Sequence, residues 1–572
     1  MGSPEQLIQT GRPAGAGAGP ADGQRADGQR ADGRPTEGQA VGQWLDALRG
    51  RHVAFLNWRD LDHPQGGGAE LYCQSIAERF AAAGVQVTLF TARSGGAPER
   101  EVARGVEIHR GGGTLGVYPT ALARLARARH RVDAVVDCQN GIPFFSPLAV
   151  PASLPVVQVL HHVHQKQFPL YFPAPVARIG ALLETPGSRW VYRRRPVVVV
   201  SPSTRDEARE VLGLRGPRYL CPNGVTMPAS VLAGPGAAPP GPPTIVCVGR
   251  LVPHKRLHLL LEALPELLAR HPGLRVDVVG DGPEGEALRG RARVLGLGPD
   301  VVRWHGFAPN TERDRLLAGA TLTVNPSHGE GWGLSVLEAN AYGVPAVAFR
   351  VPGLRDAVRD GYTGWLADST THFGQVIDMA LTELADPERA RIVRSRAHAW
   401  AAGFSWEASA EILARVVTAE IDRLGHPPEA TGRMGGAPGR GGRQVGAGGA
   451  GAGRGEGGRV GAGERRRLDT DTTRAEFPLA PGAPLPRLRR TDLVYRDGGR
   501  GVAVLYGADR RGAILALARA GVEQPLEIRP ASSDDLLVAT TRAAAPGPRG
   551  GTGTGPGTGT DSAISPVHAP PR

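Results

Sequence analysis

Short apolar runs alternate with stretches of helical period through most of the chain. Clusters of β-branched residues over 53–57, 85–90, 106–109, 134–138, 155–160 and 197–200 predict six strands. Helical stretches separate them, the first over 69–83, and Ser201 and Ser203 offer N-caps to another. The pattern breaks at 227–243, a Pro-, Gly- and Ala-rich linker. It restarts with a strand over 244–248 and a helix over 257–270, followed by strands over 275–279, 301–305, 321–325 and 346–349. A closing helix is expected over 405–425. Strand–helix alternation of this kind builds parallel sheets. The chain therefore reads as an α/β protein with two doubly wound, Rossmann-like domains, 46–226 and 244–404. A ligand cleft is expected between them at the carboxyl ends of the strands.

Composition sets the flanks apart. Glycine (81) and proline (50) crowd toward the ends of the 572 residues. Residues 1–45 carry a short tandem repeat, Ala21-Asp22-Gly23-Gln24-Arg25 and its successors, with too few apolar groups to offset ordering entropy. They are expected to be a disordered tail, as is 543–572. Residues 426–486 read as a Gly/Arg-rich linker, and 487–542 as a small module of one strand and one helix, without an assigned role. No run approaches the roughly 18–20 apolar residues that span a bilayer. The first residues lack the apolar core of a secretory signal. Four cysteines without C-x2-C spacing exclude a disulfide framework. A cytoplasmic protein is expected. The net charge of +12 invites a nucleic-acid reading, but all but two of the 67 basic residues are arginine, and they are scattered. With aromatics at 5% and no recognition motif, no nucleic-acid partner is expected.

The segment richest in chemistry is Asn325-Pro326-Ser327-His328-Gly329-Glu330-Gly331-Trp332-Gly333-Leu334-Ser335-Val336-Leu337-Glu338. It leaves a strand, turns through three glycines and enters a helix. Backbone N–H groups of Gly333, Leu334 and Ser335 at that helix start form an anion site. Glu330 and Glu338, eight positions apart, would face one ligand from different heights, and carboxylates suit the vicinal hydroxyls of a sugar or ribose. An isolated pair of acids at this spacing is usually solvated surface; the strand–Gly-rich loop–helix setting favours the functional reading. In the first half, Asp62 to Glu70 follows the first strand and opens the first helix. There Gly67 and Gly68 would touch donor phosphates across the cleft or guide an acceptor, or simply form a loop. His161-His162-Val163-His164 ends the fifth strand. It reads as a site element or a satisfied histidine cluster, and no second cluster is spaced to complete a metal shell. Asp137 and Asn140, at the end of the fourth strand, either contact the acceptor or cap a loop. Arg189, Trp190 and Arg193–Arg195 form a basic–aromatic stretch expected on a helix: a solvated face, or a contact with anionic membrane.

Three stretches together, Val248-Gly249-Arg250-Leu251-Val252-Pro253-His254-Lys255, Gly280-Asp281-Gly282-Pro283-Glu284 and the Glu330–Glu338 segment with Val351-Pro352-Gly353-Leu354, resemble those of retaining glycosyltransferases of family 4, which have the GT-B fold. The resemblance is densest over 246–368 and extends more weakly over 50–425. It implies a hexose transferred from a UDP- or GDP-sugar to a hydroxyl acceptor with retention, in glycan, glycolipid or polysaccharide synthesis, without a metal or other cofactor. It implies that Arg250 and Lys255 clamp the diphosphate, Glu338 holds the ribose, Glu330 holds the sugar, and His161 or His162 lines the sugar pocket. Asp281 and Gly282 would sit at the cleft, and Phe307 beside the base. Lys-x-Gly-Gly, carried by the glycogen-synthase-like branch, is absent at 62–68, which argues against an ADP-glucose polymerase. Two alternatives stay open: a nucleotide-sugar hydrolase or epimerase of the same fold, and a catalytically inactive binding module.

Overall fold

The computed structural model describes residues 43–229, 241–425 and 472–543, except 481, 482, 487, 489–491, 507, 509, 523 and 524. The expected tails therefore lie outside the described residues, apart from their inner ends, as do most of the 227–243 linker and the stretch 426–471. The inner end of the first tail is ordered. A short helix, Gln43–Ala47, donates the backbone N–H groups of Trp44 and Leu45 to the Glu411 carboxylate at 2.6 and 3.2 Å.

The first domain is built on strands β1 (His52–Leu56), β2 (Gln86–Thr91), β3 (Arg100–Ala103), β4 (Val106–Arg110), β5 (Ala134–Asn140), β6 (Val156–His162), β7 (Val197–Val199) and β8 (Arg218–Leu220). Their order is β3-β4-β2-β1-β5-β6-β7-β8, parallel except at the β3 edge. Central strands such as β7, Val-Val-Val, are apolar throughout because helices cover both faces. The second domain has six parallel strands, β9 (Thr244–Val248), β10 (Arg275–Val279), β11 (Val302–Gly306), β12 (Leu322–Asn325), β13 (Ala346–Phe349) and β14 (Gly364–Ala367), in the order β11-β10-β9-β12-β13-β14. The direction of winding reverses between β9 and β12. The loops after those two strands carry Arg250–Lys255 and Ser327–Glu330, so both segments meet at the switch point.

The closing helix, Trp406–Gly425, packs on the first domain rather than the second; its Leu413, Ala414 and Val417 join the first domain's core. The chain thus crosses the cleft floor twice, the crossings being tied by a Val225 N–H to Phe404 C=O hydrogen bond of 2.7 Å. Further bonds from the helix Pro202–Glu210 reach the second domain. Thr204 Oγ1 donates to Gly331 C=O at 3.2 Å, and Ser203 N–H donates to Asp356 at 2.9 Å.

The C-terminal module is larger than expected. Strands β15 (Thr472–Pro478), β16 (Leu493–Asp497), β17 (Arg500–Tyr506) and β18 (Glu527–Pro530) form an antiparallel sheet, β16-β17-β15-β18, with helices Arg510–Arg519 and Ser533–Ala543. β15 falls inside the stretch read as linker and is an inner strand of the sheet. Leu536 and Leu537 enter the first domain's core, and Tyr506 meets Tyr219 edge-on at 5.3 Å.

The basic stretch at 189–195 is also rearranged. Its helix is only Ser188–Val191; Tyr192 is fully buried against Asp137, and Arg195 donates to Leu154 C=O at 3.2 Å. Arg189, Trp190, Arg193 and Arg194 remain exposed. Among the described residues, no helix is long and apolar enough to cross a membrane.

Candidate active site

Two helix starts face each other across the cleft. The helix Gly68–Ala82 begins at Gly67, whose N–H donates to the Glu70 carboxylate at 2.8 Å in a capping box. The helix Leu334–Ala341 begins after Gly333, which has φ +90° and would drive a Cβ into Ala357 and Leu354. The Leu334 side chain reaches over to Gly68, where a Cβ would lie 3.6 Å from Leu334 Cδ2. The N–H groups of Leu334 and Ser335 have no protein acceptor among the described residues. The Ser335 hydroxyl accepts from the Asn325 amide at 3.2 Å. Two positive helix ends therefore converge on one space, a strong anion site.

Cations complete it. Arg250, on the loop after β9, is exposed and places its guanidinium about 4.0 Å from where a Gly67 Cβ would sit. Arg59, buried beside Glu70, stacks over Trp58 at 3.7 Å. Lys255 closes the loop, with Nζ 2.5 Å from Glu330 Oε1, which also accepts from the Ser327 hydroxyl at 2.7 Å. Burial alone would push the Glu330 carboxyl up. The Lys255 charge and hydrogen bond, together with Ser327, outweigh it and hold the group at about 2. Glu330 is thus charged and pre-aimed. Glu338, one helix turn further in, stands alone by comparison: burial raises its pKa, and Arg313 approaches only to 3.9 Å.

The Lys255–Glu330 pair carries a pH signature. A carboxylate depressed in the folded state stabilises above its unfolded pKa and loses that contribution as pH falls toward the folded value. Wild type should therefore lose stability between about pH 4.5 and about 2 through this group, and Glu330→Gln should flatten that slope. Acid titrations followed by circular dichroism test it; equal slopes would show that the pair is not formed in solution.

The chain matches the family models "Glycosyltransferase Family 4" over residues 66–227 and "Glycosyl transferases group 1" over 234–398. It is also 30% identical over 417 residues to a D-inositol 3-phosphate glycosyltransferase of Streptosporangium roseum, covering 65% of this chain and 93% of that one. The chain belongs to glycosyltransferase family 4. A similarly named protein of Acidothermus cellulolyticus is 41% identical over 180 residues, 29% of this chain and 39% of that one. The aligned region thus spans only about two fifths of some relatives' length. Sucrose-phosphate synthase from Thermosynechococcus elongatus, a GT-B glycosyltransferase, superposes with a TM-score of 0.54 at 21% identity, over 64% of this chain and 98% of that one. This establishes the GT-B fold for the family 4 member described here.

Within that fold the structure separates the sequence candidates. Arg250, Lys255, Glu330, Gly333, Leu334, Ser335, Gly67 and Gly68 gather at the cleft, with Glu338 on the same helix. Of the two histidines, His162 is the one beside Glu330. A Cβ at Gly329 would lie 3.7 Å from its ring, and its Nε2 meets the Gln167 amide at 2.8 Å. Burial pulls it down to about 4, so it is neutral at pH 7. His161 instead turns into the first domain, edge-on to Tyr72 at 5.0 Å, and burial holds it at about 3. Asp137 is not open to an acceptor. It is fully buried and accepts from the backbone N–H groups of Phe144 and Ser146 and from the Tyr192 hydroxyl, which makes it a loop-capping carboxylate. Asn140 pairs in register with His162 at the strand ends, near the cleft.

Gly282 lies where a Cβ would overlap the Leu251 carbonyl, and its N–H goes to the Asp281 side chain at 2.8 Å, so the two form a self-capped turn. Phe307, 93% exposed, follows the edge strand β11, two strands from β9. Sequence reasoning missed Arg59 and the contact between the Tyr171 hydroxyl and His254 Nδ1, which bridges the domains beside Lys255. Only the adjacency of His254 to Lys255 hinted at it. Among the described residues, no group of three or more His, Cys, Asp or Glu side chains is arranged to hold a metal ion.

Proposed function

We propose that this family 4 member transfers a hexose from a UDP- or GDP-sugar to a hydroxyl acceptor with retention, in the cytoplasm, for glycan, glycolipid or polysaccharide synthesis. The observation that carries the reading is the convergence of two helix starts, one from each domain, with Arg250 and Lys255 in a cleft that also presents Glu330 and Glu338. Diphosphate binds the cationic end. The ribose hydroxyls donate to the Glu338 carboxylate, and the hexose hydroxyls donate to Glu330. As the C1–O bond to phosphate breaks, negative charge grows on the departing oxygen. The Leu334 and Ser335 N–H groups, Arg250 and Lys255 face that charge and stabilise it. The acceptor oxygen bonds C1 on the same face and its proton passes to the leaving phosphate, so no enzymic nucleophile is needed. His162, neutral and beside Glu330, donates a hydrogen bond to the sugar.

For the acceptor class, relatives lend support. The names of two of them, D-inositol 3-phosphate glycosyltransferase and a GDP-mannose-dependent phosphatidylinositol monomannoside mannosyltransferase of Mycolicibacterium smegmatis, both indicate polyhydroxyl acceptors. Thermal shift with UDP, GDP and ADP tests the donor. A nucleotide at a hundredfold excess over its Kd adds about 2.7 kcal/mol to native stability, a rise of several degrees. One of UDP or GDP should produce it; silence from all three would overturn the assignment.

A further inference from the structure

The segment between β6 and β7 is folded inside out. Its central helix, Ala174–Leu182, buries only Ala177 and Gly180, the latter so close to Phe168 that a Cβ would lie 2.9 Å from the ring. The large apolar residues face solvent instead. Val176, Ile179 and Leu183 recur at helical spacing along one face, with Leu182 (62% exposed) beside it, the exposed Phe172 just before the helix and Trp190 (75% exposed) on the following short helix. Single exposed leucines are ordinary; a contiguous apolar face on a helix whose small residues point inward signals a binding surface.

Its charges name the partner. Between Lys166 and Arg195 the only acid is Glu184, and it is fully buried, accepting from His164 N–H at 2.6 Å and from the Gln165 amide at 2.7 Å. Lys166, Arg178, Arg189, Arg193 and Arg194 are all exposed. A second copy docking here would set like charges against like. An anionic bilayer matches both properties: headgroups for the cations, acyl chains for the apolar face, and the interface for tryptophan. The surface also lies at the cleft mouth, because Tyr171 reaches His254, the neighbour of Lys255.

We propose that the segment 168–194 docks this protein on anionic lipid, with the cleft opening at the membrane. Docking does not depend on the transfer reaction; that the acceptor arrives on a lipid rests on the function proposed above. The test is flotation of the full chain with phosphatidylcholine vesicles, with and without phosphatidylglycerol, at low and high salt. The protein should float with the anionic vesicles and largely stay behind with the neutral ones, and salt should release it. Replacing Arg189, Arg193 and Arg194 with Gln together should lower partitioning on the order of a hundredfold, at about 1 kcal/mol per cation. The triple variant Ile179→Glu, Leu182→Glu, Trp190→Glu should abolish it. Because these positions are exposed, both variants should keep the wild-type melting temperature and the wild-type nucleotide shift. Absent binding, indifference to lipid charge, or undiminished binding by either variant would overturn the proposal. So would a concentration-dependent dimer, seen by light scattering, that the apolar variant dissolves. A failure confined to nucleotide binding would count against the transfer reaction and leave docking standing.

Discussion

A Lys255→Ala variant is expected to lose about a thousandfold or more in turnover while remaining folded. The ammonium has two tasks in the geometry. It faces the diphosphate, where charge grows as the glycosidic bond breaks, and removing one such contact commonly costs 10²–10³ in rate. It also holds Glu330 ionised and in place at 2.5 Å; without it, burial raises that carboxyl toward the neutral form and the sugar's anchor shifts. The two losses can be separated. Glu330→Gln keeps the cation and should lower activity less than Lys255→Ala does. The double variant should fall close to the lysine variant, since much of the glutamate's contribution has already gone. Single-turnover rates at saturating donor, with donor affinity measured by calorimetry, test this. A folded Lys255→Ala protein within tenfold of wild type would remove Lys255 from the chemistry.

Much of the scaffold was legible because parallel strands covered on both faces read as largely apolar, β-branched runs. Thr244–Val248, Arg275–Val279 and Ala346–Phe349 match the expected limits for that reason. Strands that escaped notice lack the signal. β3, Arg100–Ala103, is a half-exposed edge, and β14, Gly364–Ala367, opens on a glycine after a turn and carries no β-branched residue. β15 begins Thr-Thr-Arg-Ala-Glu after a Gly/Arg-rich stretch, and its place is fixed by β17 and β18, which lie further along the chain. The site divides in the same way. Lys255 and Glu330 were legible because each sits in a local strand–loop pattern that aims it at the cleft. Asp137 was not, because its direction depends on donors at 144, 146 and 192 brought together by folding. The choice between His161 and His162 likewise turns on which face of β6 meets Tyr72, a tertiary fact.

Gly331→Ala should weaken donor binding far less than it cuts acceptor-dependent turnover, which should fall by about a hundredfold. Gly331 belongs to the second domain, yet a Cβ there would overlap the carbonyl oxygen of His161 in the first. That oxygen is backbone on a fully packed strand and cannot swing aside, so the added methyl must hold the domains apart. The same opening would stretch the Thr204 hydroxyl away from the Gly331 carbonyl, which it meets at 3.2 Å. A displacement of roughly 1 Å between reacting groups is enough for a hundredfold loss. Most of the donor's contacts, Arg250, Lys255, the Leu334–Ser335 helix start and Glu338, lie on the second domain, so the nucleotide should lose only what Gly67 and Arg59 add from the first. Gly329→Ala is the control: two positions away, its methyl would rest 3.7 Å from the His162 ring, an ordinary contact. Near-normal rates for Gly329→Ala beside a crippled Gly331→Ala would show that closure at this point assembles the site. Equal rates for the two would mean that catalysis proceeds with the domains apart.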